Sequence, residues 1–162
     1  MTQVSITRVG GPTALLEIGG FRLLTDPTFD APGEYRLPNV TLRKTTGPAL
    51  SAEAIGPIDA VLLSHDQHAD NLDHSGRAGL ANAERVFTTV TGAQRLGGGS
   101  EGLAPWEIRD LLKPDGSLRV TATPARHGPA GIEPLAGDVI GFVHIPGSQR
   151  PRDLHHRRYG LV

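Results

Sequence analysis

The chain has 162 residues, one domain by size and long enough to bury about 70% of the surface its unfolded form exposes, so it needs no staple to fold. It has no cysteine, which excludes disulfides and thiolate ligands and leaves any zinc site to histidine and carboxylate. The net charge of −1 is uneven: residues 149 to 162 carry four arginines against one aspartate, a local +3, so the rest sums to −4. That body has no basic stripe interleaved with aromatics, and no nucleic-acid partner is expected of it.

The amino third reads as short strands divided by turn signals: VSITRV, then GGP, TALLEIG, and FRLLTDP ending at Asp26-Pro27, together an antiparallel meander. Residues 28 to 57 are rich in Pro, Gly and Thr with little periodicity, which predicts a long surface excursion. IDAVLLS is a continuous apolar strand, and NLDHSGRAGLANA has helical spacing with Asp70 or Asn71 as N-cap. RVFTTV is a strand, TGAQRLG a short helix opened by Thr91, and LGGGSEG a flexible turn. LRVTATPARHG is a strand running into a loop that carries His127, and residues 137 to 145, GDVIGFVHI, form a last strand. This order describes an α/β layered domain over residues 1–145, with an atypical basic tail at 146–162. No signal-like segment opens the chain and no apolar run approaches the roughly 20 residues of a membrane helix, so the expected location is the cytoplasm and no membrane partner is expected.

Two histidines and three aspartates crowd the stretch SHDQHADNLD, residues 64 to 73, directly after the apolar run AVLL. His65 and His68 are spaced i, i+3; on a helical first turn their Cβ atoms would stand roughly 5 to 6 Å apart, within reach of one ion at about 2.0 to 2.1 Å. A third ligand must come from another loop, and His127 ends a strand much as His65 does. His65, His68 and His127 form the first ligand set, with Asp70 as a further oxygen ligand. The bland alternative is a polar loop and an N-cap. His74 falls on the helix as a solvated side chain and His144 in an apolar strand as a packed one.

The run VLLSHDQHADNLD resembles the signature strand and loop of the metallo-β-lactamase fold hydrolases, whose pattern is His-x-His-x-Asp-His. The amino end, ITRVGGPTALLEIGGFRLLTDPTFD, is similar to the branch that includes the L-ascorbate-6-phosphate lactonase, and TATPARHG to the segment with that family's third histidine. The resemblance covers residues 3 to about 145 and implies an αββα sandwich, here its amino-terminal portion. It implies a hydrolase in which one or two Zn2+ ions, or Mn2+ or Fe2+, activate water against an ester, lactone or phosphodiester of a small-molecule substrate. Asp70 would orient that water or take its proton. Asp26 would hold a ligand histidine from behind, or merely stabilise the turn before Pro27. The loop is one residue longer than the family pattern. Gln67 and His68 therefore compete for the second ligand position, and His68 is preferred because a Gln amide binds zinc poorly. Asn71 stands where the family has its last His, a much weaker ligand for a second metal.

The family pattern then requires a further strand and a Gly-Asp-Thr turn, whereas this chain gives PGSQRPRDLHHRRYGLV. HHRRYGL can be encoded by codons that, read from the second base, give Ile-Thr-Gly-Asp-Thr-Ala, so the tail is expected to be that segment out of frame, with about half the sandwich missing and activity impaired. A homo-oligomer is compatible with the exposed sheet this would leave. Two rival readings are a non-catalytic metal-binding or interaction module, with His155 or His156 as a ligand, and a nucleic-acid-binding tail on an inert domain.

Overall fold

The computed structural model describes residues 3–36, 41–129, 131 and 137–146. Two sheets pack face to face. The larger has six strands in the order β1-β2-β3-β6-β7-β8: β1 (Val4–Gly10), β2 (Thr13–Ile18), β3 (Phe21–Thr25), β6 (Ile58–Leu62), β7 (Ala83–Thr89) and β8 (Glu101–Leu103). The smaller has the order β11-β10-β9, from β9 (Ile108–Lys113), β10 (Gly116–Pro124) and β11 (Ile140–Pro146). The predicted meander is β1 to β3, antiparallel throughout, and β3, β6, β7 and β8 then run parallel.

The apolar run of β6 follows from its central place, since a strand flanked by parallel neighbours and covered on both faces has no solvent side on which to alternate. Leu62 and Ala60 face the smaller sheet, in a core with Leu16, Leu23, Phe87, Leu118 and Val120. Val61 and Leu63 face the opposite way, with Leu15, Leu24 and Val86, onto Ile55 of α1 (Ala52–Ile55) and Leu72 beside α2 (His74–Gly79). Among the described residues the layers are thus helix, sheet, sheet, three of the four of the expected sandwich. On the outer face of the smaller sheet Ile108, Leu112, Val143 and Ile145 are exposed.

Several boundaries differ from the sequence reading. The excursion at 28–57 is not featureless: β4 (Gly33–Arg36) pairs with β5 (Thr41–Lys44) as a hairpin, and α1 follows with Ser51 as its N-cap. The second helix starts later than predicted, and its N-cap is Asp73 rather than Asp70 or Asn71, because the Asp73 carboxylate accepts from Gly76 N while residues 64–72 stay in an irregular loop. Thr89, not Thr91, caps α3 (Val90–Leu96), and the glycines at 97–99 turn the chain with positive φ. The sequence reading passed over β9, whose hairpin with β10 closes around Pro114 and Asp115. The tail, including His155 and His156, lies outside the described residues.

Candidate metal centre

Parallel strands β3, β6 and β7 deliver their carboxyl ends to one edge of the large sheet, and there β6 runs out into the loop of residues 63–73. The start of β11 reaches the same edge, where Ile140 N donates to Ser64 O at 3.1 Å, and Asp138 just before it accepts from Gln67. Loops from two sheets thereby meet.

Three imidazoles converge in that space. His65, 2% exposed, places Nε2 at 3.2 Å from Nδ1 of His68. The rings of His65, His68 and His127 have centroids 4.8 to 5.0 Å apart and stand nearly edge to face, and their ligand atoms all lie within 4.8 Å of one another. Nitrogens bound tetrahedrally at about 2.0 to 2.1 Å are separated by ~3.3 Å, so the His65–His68 spacing fits one ion without rearrangement. His65 and His68 sit on irregular backbone, not the helical turn assumed from their spacing. The loop curls enough to bring the rings together, which leaves Gln67 outside, its amide donating to Asp138 Oδ1 at 3.4 Å.

His65 is prepared as a ligand from both sides. Burial, and then the positive charge that His127 and His68 would carry, push its pKa down to about 4, so the ring is neutral at physiological pH. Its Nδ1 lies 2.9 Å from Ser64 Oγ; with the proton on Nδ1, the ring donates to that hydroxyl and Nε2 keeps its lone pair for an ion.

Asp26 supports this arrangement through Ser64 rather than by touching a histidine. Its Oδ1 accepts Ser64 N at 2.7 Å. Burial raises its pKa, the hydrogen bonds pull it back, and the Asp70 charge raises it again. Its backbone takes φ of +31°, a strained conformation an Asp tolerates better than most residues.

Asn71 turns inward, with Nδ2 donating to Ser64 Oγ at 3.3 Å. Asp70 does not belong to the imidazole cluster: it is exposed, and it borders a cleft of about 220 Å³ with Gly11, Thr28, Tyr35 and Lys44. His74 is exposed as expected, against Asp30 at 3.2 Å and over Tyr35. His144 faces the inter-sheet side of β11 opposite Val120; its buried Nδ1 has no partner among the described residues, and burial lowers its pKa.

Two carboxylates that the sequence reading did not single out are built into the loop. Asp66, 5% exposed, takes Arg95 Nε at 3.0 and 3.2 Å. Asp73, at 1%, takes Phe29 N, Asp30 N, Gly76 N and Lys44 Nζ at 2.7 to 2.9 Å. Their only signal in the sequence is their place among the histidines, which does not distinguish a buried anchor from a ligand.

Residues 21–151 match the family described as the beta-lactamase superfamily domain. Over 138 residues the chain is 30% identical to Uncharacterized protein Rv0906 of Mycobacterium tuberculosis, a match that covers 78% of this chain and 34% of that one. Among solved structures, an isothiocyanate hydrolase from Delia radicum gut bacteria superposes with a TM-score of 0.66 at 22% identity, covering 87% of this chain and 58% of its own. A protein described as a possible metal-dependent hydrolase, from Veillonella parvula, gives 0.68 at 19% identity, covering 92% and 60%. The chain thus spans about a third of the curated relative and under two thirds of the solved ones. Among the described residues no helix is long and apolar enough to cross a membrane.

Proposed function

The chain belongs to the beta-lactamase superfamily, and we propose that within it the protein is a metal-dependent hydrolase whose centre is the His65–His68–His127 cluster. The observation that carries the reading is the convergence of three imidazoles from two separate loops, with one pair already at the spacing a tetrahedral ion requires. Zinc suits this donor set best, with manganese or iron as alternatives. A bound ion would supply a Lewis acid for a carbonyl or phosphoryl oxygen and a water whose pKa falls to about 7.

The protein's own contribution is arrangement. Ser64 fixes the ring orientation of His65, Asp26 and Asn71 fix Ser64, and burial keeps His65 unprotonated. Asp70 is the group we assign to orient or deprotonate water, from the cleft side. The substrate is a small ester, lactone or phosphodiester entering by that cleft, without nucleic acid or membrane, in the cytoplasm. Asn71 is committed to Ser64 and Asp70 stands outside the imidazole cluster, so we assign one ion and low turnover rather than a dinuclear centre.

Metal analysis together with a panel of lactones, esters and phosphodiesters tests this. The expected result is one ion per chain and hydrolysis lost on chelation and on His65→Ala. One firmly held ion without hydrolysis of any of the panel would favour the second reading, a metal-binding module, which the inward turn of Asn71 also suits. A chain that retains no metal would refute both.

A further inference from the structure

Resting on that metal-centre reading, we infer that Asp66, Arg95 and Asp138 form an ion-pair clamp that sets the geometry of the histidine cluster from outside, with Arg95 as a positioning residue. Asp66 stands between two of the ligands, yet its carboxylate is not in the cluster. It is buried, 3% exposed at the side chain, and engages α3, where Arg95 grips it through Nε at 3.0 and 3.2 Å and through Nη2 at 2.5 Å. Arg77 approaches Oδ2, which Arg95 Nε also holds, at 3.9 Å and donates to the Asp66 carbonyl at 3.3 Å. With its side chain pinned to the helix, the backbone between His65 and His68 cannot rotate, and both rings are held toward His127.

The grip continues to the second loop. Arg95 Nη2 lies 3.7 Å from Asp138 Oδ1, which also accepts Thr91 Oγ1 at 2.7 Å and Gln67 Nε2 at 3.4 Å. Asp138 is on the β10–β11 connection that carries His127, whose ring has no hydrogen bond among the described residues. The clamp thus engages, at Asp138, the same connection that bears His127. Two glycines show how closely the parts meet: a Cβ on Gly92 would stand 3.1 Å from Asp66 Oδ1, and one on Gly137 would stand 2.2 Å from the Gln67 amide. A fork of parallel donors fixes direction as well as distance, which a single ammonium cannot.

The test is metal binding by the full chain and its Arg95→Met, Arg95→Lys and Asp138→Asn variants. Zinc affinity is read by competition with a chromophoric chelator, and ligand geometry by the visible spectrum of the cobalt(II) form. Arg95→Met is expected to weaken zinc binding roughly 10- to 100-fold, the range for supports of ligating residues, and to change the cobalt spectrum. Arg95→Lys is expected to recover part of the affinity, because it restores charge without the fork. Asp138→Asn, which leaves the Asp66–Arg95 pair intact, is expected to act in the same direction but less; it keeps the test open where Arg95→Met does not fold. Wild-type affinity and an unchanged cobalt spectrum in folded Arg95→Met, or in Asp138→Asn alone should Arg95→Met not fold, would overturn the clamp while leaving the metal centre standing. Wild-type protein that binds neither zinc nor cobalt would overturn the metal centre and the clamp with it.

Discussion

Asp73→Ala should be among the most damaging single changes in this chain, although the residue binds no metal in our reading. Its side chain is fully buried and its two oxygens accept four donors: Phe29 N at 2.9 Å and Gly76 N at 2.8 Å on one, Asp30 N at 2.7 Å and Lys44 Nζ at 2.9 Å on the other. One carboxylate thus caps α2, anchors the chain just after the Thr25-Asp26-Pro27 turn, and neutralises the last residue of β5. Truncation leaves the Lys44 ammonium, only 17% exposed, without a counter-charge. Removing one partner of such a pair costs about 3 to 5 kcal/mol. The lost cap, worth about 1 kcal/mol alone, overlaps with this and is not added in full.

We expect a loss of about 4 kcal/mol, which for a chain of 162 residues corresponds to a fall in Tm of roughly 8 to 16 °C. Urea unfolding followed by circular dichroism measures the free energy, and a double-mutant cycle identifies its source. If the stranded ammonium dominates, Lys44→Met on the Asp73→Ala background should restore at least about 1 kcal/mol. A loss below about 1 kcal/mol for Asp73→Ala would refute the reasoning, since the four donors would then be finding water.

Other expectations follow from the same geometry. Gly76→Ala would place a Cβ 1.9 Å from the Pro27 carbonyl oxygen, a backbone atom that cannot step aside; we expect about 3 kcal/mol of destabilisation by thermal unfolding, at the upper end for overpacking. At Asp30, burial tends to raise the pKa, but hydrogen bonds from Ser75, Tyr35 and His74 outweigh it and hold the carboxyl well below its ordinary range. Its stabilisation is therefore complete above about pH 4 and is lost as pH falls toward the folded-state value, because the unfolded state binds the proton first. Asp30→Asn should accordingly flatten the fall in urea midpoint between pH 5 and pH 3, and an unaltered slope would count against it. On the outer face of the smaller sheet, Leu112→Lys with Ile145→Lys should reduce the fluorescence of a bound hydrophobic dye, these being the two most exposed apolar side chains there, at 69% and 57%.

Much of the frame was legible because burial writes itself into apolar spacing. The run IDAVLL read as a continuous apolar strand and lies inside the large sheet, and the short strands before it are separated by glycines that turn the chain at φ of +52° for Gly11 and +57° for Gly19. What spacing could not reveal was which of several equivalent polar residues the tertiary structure would use. Asp70, Asn71 and Asp73 are all acceptable N-caps by type. Asp73 takes the role because Phe29, Asp30 and Lys44, more than 25 positions away, converge on the same carboxylate. Strand β9 was missed for a related reason: in IRDLLK the half-buried inward position is Arg109 while Ile108 and Leu112 face outward, so the burial alternates but the apolar residues do not, and only the Pro114-Asp115 turn marked the hairpin.

The histidine loop carries the same lesson to the site itself. Its histidines were conspicuous by residue type, and their i, i+3 spacing suggested a helical turn; the rings meet instead across irregular backbone. A helix would have fixed that backbone by its own hydrogen bonds. Without one, the loop must be fixed by side chains, and this accounts for the density of carboxylates in SHDQHADNLD better than ligation does. Asp66 is bound to α3 and Asp73 to the excursion, while Asn71 is turned onto Ser64. The polar residues of the stretch therefore divide by direction: the histidines face the cluster, and most of the others hold the chain that presents them. A substitution of Asp66 or Asp73 should consequently lower metal affinity without removing a single donor atom, whereas one of His68 or His127 should lower it by removing one.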